Sequence, residues 1–181
     1  YTGILHEYAD CDKKPFSQER VHGDYHIEAR TLGARNVGID PVEKYSRDAD
    51  MLLDAVTNEE SPYYDPDNHR YWFYLAQSYF DSQQVDNAME AYQKRAELGG
   101  WEEEAYYSLF RVAICSVLKD DPWETIQQKF LDAYAYRPLR AEPLHQLSRL
   151  YRQAGKFNHA YIFAQRASQI AYPQHDILFI S

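Results

Sequence analysis

The chain has 181 residues, of which 45% are hydrophobic, and its 28 acidic against 19 basic side chains give a formal net charge of −9. This surplus of negative charge, with no basic run, argues against nucleic acid or an anionic membrane surface as a partner. No apolar window approaches the roughly 18 residues that a membrane span requires.

Residues 1–40 differ in composition from the rest of the chain. Two short segments rich in β-forming residues, 1–8 and 24–31, flank the polar stretch 9–23. We place a domain boundary near Asp40 and interpret the chain, which begins with Tyr1 in the middle of a pattern, as a piece of a longer protein. Because strand edges without a partner are unfavourable, we expect residues 1–35 to be mobile.

A helix is predicted from Val42 to Asn58. Asp40 and Pro41 supply an N-cap and a proline at the first helical position. The apolar residues of one helical face are Tyr45, Ala49, Leu52, Leu53 and Val56. We therefore place a connecting helix at 41–60, followed by a turn-rich connector with two prolines up to residue 68.

Residues 69–102 predict two short amphipathic helices joined by a polar turn at 81–84. The first helix has apolar residues from Trp72 to Phe80 at positions i, i+3, i+4, i+7 and i+8, and the second repeats such a face from Val85 to Ala96. The glycines at 99 and 100 terminate the second helix. A hairpin of this kind cannot bury its apolar face alone, so it requires a neighbouring hairpin.

The hairpin recurs after about 34 residues, which is the period of a tetratricopeptide repeat (TPR). We place a second copy at 103–138 and a third at 141–173. The second copy departs from the pattern, since Ile126 stands where a small residue is expected and its turn is predicted to be about four residues longer. The matching positions are Trp72, Leu75, Ala76, Tyr79, Ala88 and Tyr92 in the first copy and Leu147, Tyr151, Gly155, Ala160, Ala167 and Pro173 in the third.

The predicted fold is therefore all-α. It is a TPR-like helical-hairpin solenoid of about three hairpins behind a connecting helix, with a short N-terminal β/loop remnant. The repeat region spans 69–181, and its last residues, 176–180, are too apolar for a free tail. They either cap the open end of the solenoid or begin a further element.

Charged and aromatic residues at the hairpin junctions have two interpretations. We expect Trp101 to pack beneath the next hairpin and the three glutamates at 102–104 to occupy the first helical turn, where the helix dipole favours negative charge. An acidic binding patch is the alternative. Arg140 is expected either to pair with a neighbouring carboxylate or to reach into the concave face.

Cys11 and Cys115 follow no metal-ligand spacing and are predicted to be reduced thiols, with a disulfide as the alternative.

Several phrases are more specific than a generic repeat. They are FYLAQSY at 73–79, the R-x-x-x-GGW-x-EE run from Arg95 and the R-x-EPL run from Arg140, together with YTGILHEY at the start. Taken in order, they resemble the C-terminal half of a family of bacterial and viral glycosyltransferases, in which a family-2 catalytic domain precedes TPR-like hairpins. The resemblance implies that a nucleotide-sugar and a divalent metal, Mn or Mg, act in the parent enzyme. The resemblance also implies that residues 1–40 are the remnant of the end of that catalytic domain. The elements that bind the nucleotide-sugar and the metal would lie before Tyr1, so no cofactor is expected in this chain.

The resemblance also supplies candidate site residues. His6 and Glu7 match the family's His-Glu pair at the sugar site, where the carboxylate would orient hydroxyls or act as a base in the full-length parent. His26 is a candidate metal ligand, because neutral imidazole binds metals. The alternative for all three is a polar position on an edge strand.

Because tyrosine and arginine are good interface residues, a binding surface is predicted at Tyr71, Tyr74, Tyr107 and Arg140.

We predict a cytoplasmic binding and scaffolding module whose concave surface holds a protein partner or a glycan acceptor. Two alternatives stay open: an active glycosyltransferase that uses His6, Glu7 and His26, and a stand-alone repeat adaptor with a vestigial strand pair. The sugar donor, the acceptor and the oligomeric state are not determined by the sequence.

Overall fold

The computed structural model describes residues 4–5, 23–24, 38–173 and 178. These residues contain seven helices and no strand, so the all-α prediction is confirmed for the part of the chain that is described. The helices are α1 Pro41–Thr57, α2 His69–Asp81, α3 Val85–Glu97, α4 Glu102–Leu118, α5 Trp123–Tyr136, α6 Glu142–Gln153 and α7 Phe157–Ser168. The predicted strands and the expected mobility of residues 1–35 lie outside the described residues, apart from the two short pairs.

The first two helices begin at side chains that satisfy free backbone N–H groups. Asp40 Oδ2 accepts a hydrogen bond from the Glu43 N–H at 3.2 Å, and Pro41 takes the first helical position, where an N–H would have no partner. Asn68 Oδ1 accepts hydrogen bonds from two N–H groups in the first turn of α2, both at 3.1 Å. These caps fix the helix starts, as the sequence predicts for α1.

Two glycines end α3 and turn the chain into α4. Gly99 and Gly100 have φ angles of 68° and 79°, in the left-handed region that glycine adopts without a steric penalty. A Cβ atom at Gly100 would lie 2.5 Å from His69 Nδ1, so the start of α2 also approaches this turn closely.

Each helix packs against the next one in the chain, and alternate helices also contact each other, so the helices form two layers. In the layer of α2, α4 and α6, the Phe73 and Tyr107 rings are 6.0 Å apart, and the Tyr106 hydroxyl donates to Glu142 Oε2 at 3.2 Å. The odd-numbered helices form the other layer, in which Arg166 of α7 donates a hydrogen bond to a tyrosine of α5. This arrangement is a stack of three helical hairpins behind α1, which agrees with the predicted solenoid.

Two hydrophobic clusters hold the stack together. The first lies among α1 to α4 around Leu52, Leu75 and Tyr92, which are fully buried. The second lies among α4 to α6 around Tyr106 and Phe130. Each large apolar side chain buried in this way contributes about 1.5–3 kcal/mol. The array is therefore stabilised chiefly by contacts between neighbouring helices.

Trp101 does not pack beneath the second hairpin, contrary to the prediction. Its side chain is 46% exposed. The residue occupies the N-cap position of α4 with extended backbone, and Glu103 and Glu104 are buried at this junction instead.

The turn of the second hairpin is also shorter than predicted. Residues 119–122 connect α4 to α5, against 82–84 in the first hairpin. The additional residues lie in α4, which has 17 residues where α2 has 13. Ile114 and Val117 continue the apolar pattern there, so about one more helical turn packs against the core.

Across the described residues, no helix combines the length and the apolar character that a bilayer crossing demands.

Candidate functional site

The predicted binding-surface residues fall in two places. Tyr71 and Tyr74 lie on α2 and are partly buried. Tyr107 of α4 and Arg140, just before α6, line the same cavity. The structure therefore brings two of the four residues together in one recess.

His6, Glu7 and His26 lie outside the described residues, so the implied sugar and metal sites have no geometry here. Among the residues that are described, no group of three or more His, Cys, Asp or Glu side chains is arranged to hold a metal ion. The candidate site is therefore the cavity lined by Tyr107 and Arg140, together with a group of ion pairs beside it that is described below.

A cavity of about 220 Å³ opens between α4 and α6. Pockets that enclose a drug-sized ligand are larger, roughly 300–1,000 Å³. A recess of this size holds one side chain or one ring of a longer ligand. Its walls combine aromatic, aliphatic, charged and amide groups, from Tyr106, Tyr107, Phe110, Arg111, Ile114, Arg140, Glu142 and Gln146.

Aromatic rings continue from this cavity to α2. Ring centroids are separated by 6.4 Å between Phe110 and Tyr107, 6.0 Å between Tyr107 and Phe73, and 5.7 Å between Phe73 and Tyr74. Phe73 is buried and supports the partly exposed tyrosines on either side. Tyrosine rings present an apolar face and a polar edge, which suits contact with peptide side chains or sugar rings.

Arg111 is one of two arginines in the wall of the cavity, together with Arg140. Its guanidinium carbon lies 3.6 Å from the centroid of the Phe80 ring and 5.7 Å from those of Tyr92 and Tyr107. Its Nη1 donates to the Tyr107 hydroxyl at 3.4 Å, whereas its Nε is buried without a hydrogen bond. Cation–π contacts hold the guanidinium in place, and its Nε hydrogen-bond donor has no acceptor among the described residues. Sequence reasoning missed Arg111, although its spacing of four from Tyr107 puts both on one helix face.

A band of ion pairs, here called the junction cluster, runs along the edge where α2, α4 and α6 begin. It contains four arginines and four glutamates: Arg70, Arg95, Arg137, Arg140, Glu102, Glu103, Glu104 and Glu142. Because the formal charges are equal in number, the band is neutral overall. It joins the end of each hairpin to the start of the next.

The first half of the junction cluster is centred on Arg95, which is fully buried. Its Nε and Nη2 donate to Glu104 Oε2 at 3.1 and 2.9 Å, and its Nη1 donates to the Gly99 carbonyl oxygen at 2.7 Å. Arg70 lies 3.8 Å from the same carboxylate. These contacts tie the C-terminus of α3 to the first turn of α4 and to the start of α2.

The second half is centred on Glu103, which is 1% exposed. Both Arg137 and Arg140 form ion pairs with it. Arg140 also donates to Glu142 Oε1 from Nη2 at 2.6 Å and from Nε at 3.0 Å. Burial opposes the charged form of Arg140, but the hydrogen bond to Glu142 and the nearby negative charges raise its pKa above the ordinary value. The predicted pairing of Arg140 with a carboxylate is confirmed.

One residue near the C-terminus joins the junction cluster. The Leu178 N–H donates to Glu103 Oε2 at 3.2 Å, and the Leu178 carbonyl oxygen accepts from Arg140 Nη1 and Nη2 at 3.2 and 3.3 Å. Leu178 therefore lies where α4 and α6 begin. The predicted cap over the open end of the solenoid stays a prediction, since most of residues 174–181 lie outside the described residues.

The fold and the site together define an all-helical hairpin stack with a small polar–aromatic cavity and an ion-paired edge. Comparison with protein-family models and with curated proteins finds no match for this chain. Function is therefore inferred from the residues and their geometry.

Proposed function

We propose that the chain is a TPR-type binding and scaffolding module from the C-terminal part of a family-2-like glycosyltransferase. The cavity between α4 and α6 is its ligand-binding site, and the ligand is a segment of a partner protein or of a glycan acceptor. The observation that carries the binding role is the cavity wall, in which aromatic rings surround the guanidinium of Arg111. The resemblance of the sequence phrases to the glycosyltransferase family supports the choice of parent enzyme.

The cavity suits one unit of a longer ligand. At about 220 Å³ it admits a single side chain or sugar ring, while the rest of the ligand extends along the face of α2, α4 and α6. A sugar ring has an apolar face and a rim of hydroxyl groups. Tyr107 offers an aromatic surface, and Arg111, Gln146 and Glu142 offer donors and acceptors to that rim.

The parent enzyme supplies the catalytic chemistry in this proposal. Nucleotide-sugar and Mn or Mg bind to its preceding domain, and His6, Glu7 and His26 are the residues of this chain that would take part. We also propose a cytoplasmic location. The buried free thiol of Cys115 supports it, because cytosolic proteins keep their cysteines reduced.

Titration calorimetry on the 181-residue chain tests the proposal with panels of acceptor glycans and of peptides. We expect one panel to contain ligands, and Arg111→Met to weaken their binding by about tenfold through the lost cation and hydrogen-bond donor. The matched control is Arg47→Met, which removes an exposed arginine of α1 and should leave binding unchanged. Failure of both panels to bind, or equal binding by the Arg111 variant, would refute the proposal.

A further inference from the structure

Both main-chain polar groups of Leu178 are bound by buried charged side chains. Glu103 accepts from the N–H at 3.2 Å, and Arg140 donates to the carbonyl oxygen at 3.2 and 3.3 Å. A residue in a β-ladder exchanges the same two hydrogen bonds with its partner strand. Here a glutamate and an arginine take the place of that strand, and the group recognised is the peptide main chain.

Ion pairs that do not involve Leu178 hold the two side chains in position. Glu103 and Arg140 are 1% and 2% exposed. They pair with each other, and Arg137 and Glu142 hold them from either side. Charged groups that are fixed in this way bind a peptide without first losing much conformational freedom.

We propose that Glu103 and Arg140 form a binding site for one residue of an extended peptide main chain, and that the chain's own C-terminal segment occupies it through Leu178. Because the contacts are to the main chain, the site selects a free N–H and carbonyl at one residue rather than the leucine side chain. Arg140 also lines the cavity, but the proposed peptide site uses its hydrogen bonds to the Leu178 carbonyl and does not depend on which ligand the cavity binds.

Binding of a labelled peptide with the sequence of residues 174–181, QHDILFIS, to the 181-residue chain tests the proposal. In the unmodified chain the tethered segment competes at an effective concentration of about 1 mM. Leu178→Pro removes the N–H donor, so this variant should bind the added peptide at least tenfold more tightly than the unmodified chain. Leu178→Ala keeps both main-chain groups and is the matched control, which should behave like the unmodified chain.

A second peptide, N-methylated at the position of Leu178, should not bind the Leu178→Pro variant. Equal binding of QHDILFIS to the variant and to the unmodified chain, binding to neither, or retained binding of the N-methylated peptide would overturn the proposal. Circular dichroism checks that the variant folds.

Independently of any variant, the Leu178 amide of the unmodified chain should exchange with solvent at least tenfold more slowly than in the free peptide. Exchange at the free-peptide rate would also overturn it. The Arg111 variant reports on the cavity alone, so the two proposals fail separately.

Discussion

Replacing Arg95 with methionine tests how far the buried ion pairs hold the hairpins together. Arg95 is fully buried and makes three hydrogen bonds, two to Glu104 and one to the Gly99 carbonyl. Methionine is similar in length but carries no charge or donor. The change therefore leaves the Glu104 carboxylate, whose side chain is 5% exposed, with Arg70 at 3.8 Å as its remaining ion-pair partner among the described residues.

The size of the effect follows from the uncompensated charge. Removing one partner of a buried ion pair costs about 3–5 kcal/mol. Arg70 offsets part of this cost, so we expect the lower limit, about 3 kcal/mol. Since each kcal/mol shifts the Tm of a protein of this size by about 2–4 °C, the Tm should fall by about 6–12 °C.

Urea unfolding followed by circular dichroism measures the change. Arg47→Met is the matched control, because Arg47 and Glu43 form an exposed pair with 63% and 54% of their side chains accessible, and such pairs contribute about 0.3–0.5 kcal/mol. Adding Glu104→Gln to Arg95→Met should recover more than half of the loss, since it removes the unpaired charge. A loss for Arg95→Met no larger than that for Arg47→Met would refute the reasoning.

Three further substitutions or treatments have expected outcomes. Alanine at Gly100 should destabilise the protein more than alanine at Gly99. At both positions the alanine must adopt the left-handed backbone of the glycine, which costs about 1–2 kcal/mol. Only the Cβ atom at position 100 meets another group, His69 Nδ1 at 2.5 Å. Tyr92→Phe should raise the free energy of unfolding by about 1 kcal/mol, because the Tyr92 hydroxyl is buried without a hydrogen bond. Burial raises the pKa of the Cys115 thiol from 9.0 to about 11, so the native thiol should react with an alkylating reagent about 100-fold more slowly than in urea. As the pH rises, the Cys115 thiol ionises in the unfolded chain before it ionises in the folded chain. The stability that the buried, neutral thiol contributes is therefore fully present below pH 9.0 and is lost as the pH rises to about 11.

Each of these expectations has a contrary result. Equal losses in the two glycine variants would mean that the His69 ring moves aside at no cost. A less stable Tyr92→Phe protein would mean that the hydroxyl makes a favourable interaction. The thiol experiment uses a chain with Cys11→Ser so that one thiol remains, and fast alkylation of native Cys115 would show that burial does not protect it. Stability that is unchanged between pH 9.0 and about 11 would contradict the stated shift in pKa.

Helix positions could be predicted because their signals are local. The α1 cap at Asp40 and the α3 terminator at Gly99 are each defined by a few adjacent residues, and the predicted turn at 81–84 matches the observed 82–84. Burial was harder to predict. Phe73 was absent from the predicted apolar face but is 2% exposed, because α2 contacts α4 as well as α1 and α3, so its buried surface is wider than one stripe. Leu53 was expected in the core and is 38% exposed.

The candidate site depends on contacts that helical periodicity does not describe. Glu103 meets Arg140 across 37 positions of sequence and Leu178 across 75. The runs that begin at Arg95 and Arg140 stood out in the sequence because repeat packing does not require them. They supply the two central arginines of the junction cluster. The sequence therefore indicated which residues were unusual, and the arrangement of the hairpins determined what they bind.

The packing of each helix on its chain neighbours also sets the order in which the protein comes apart. Contacts between sequence neighbours form early and favour rapid folding, since little chain entropy is lost in making them. The last helix, α7, buries only Ala160 fully, and Phe157, Tyr161 and Ile162 are each more than 60% exposed. The terminal helix thus contributes few fully buried side chains to the core. Fraying should begin at this terminal helix and progress inward towards α4, whose buried residues belong to both hydrophobic clusters.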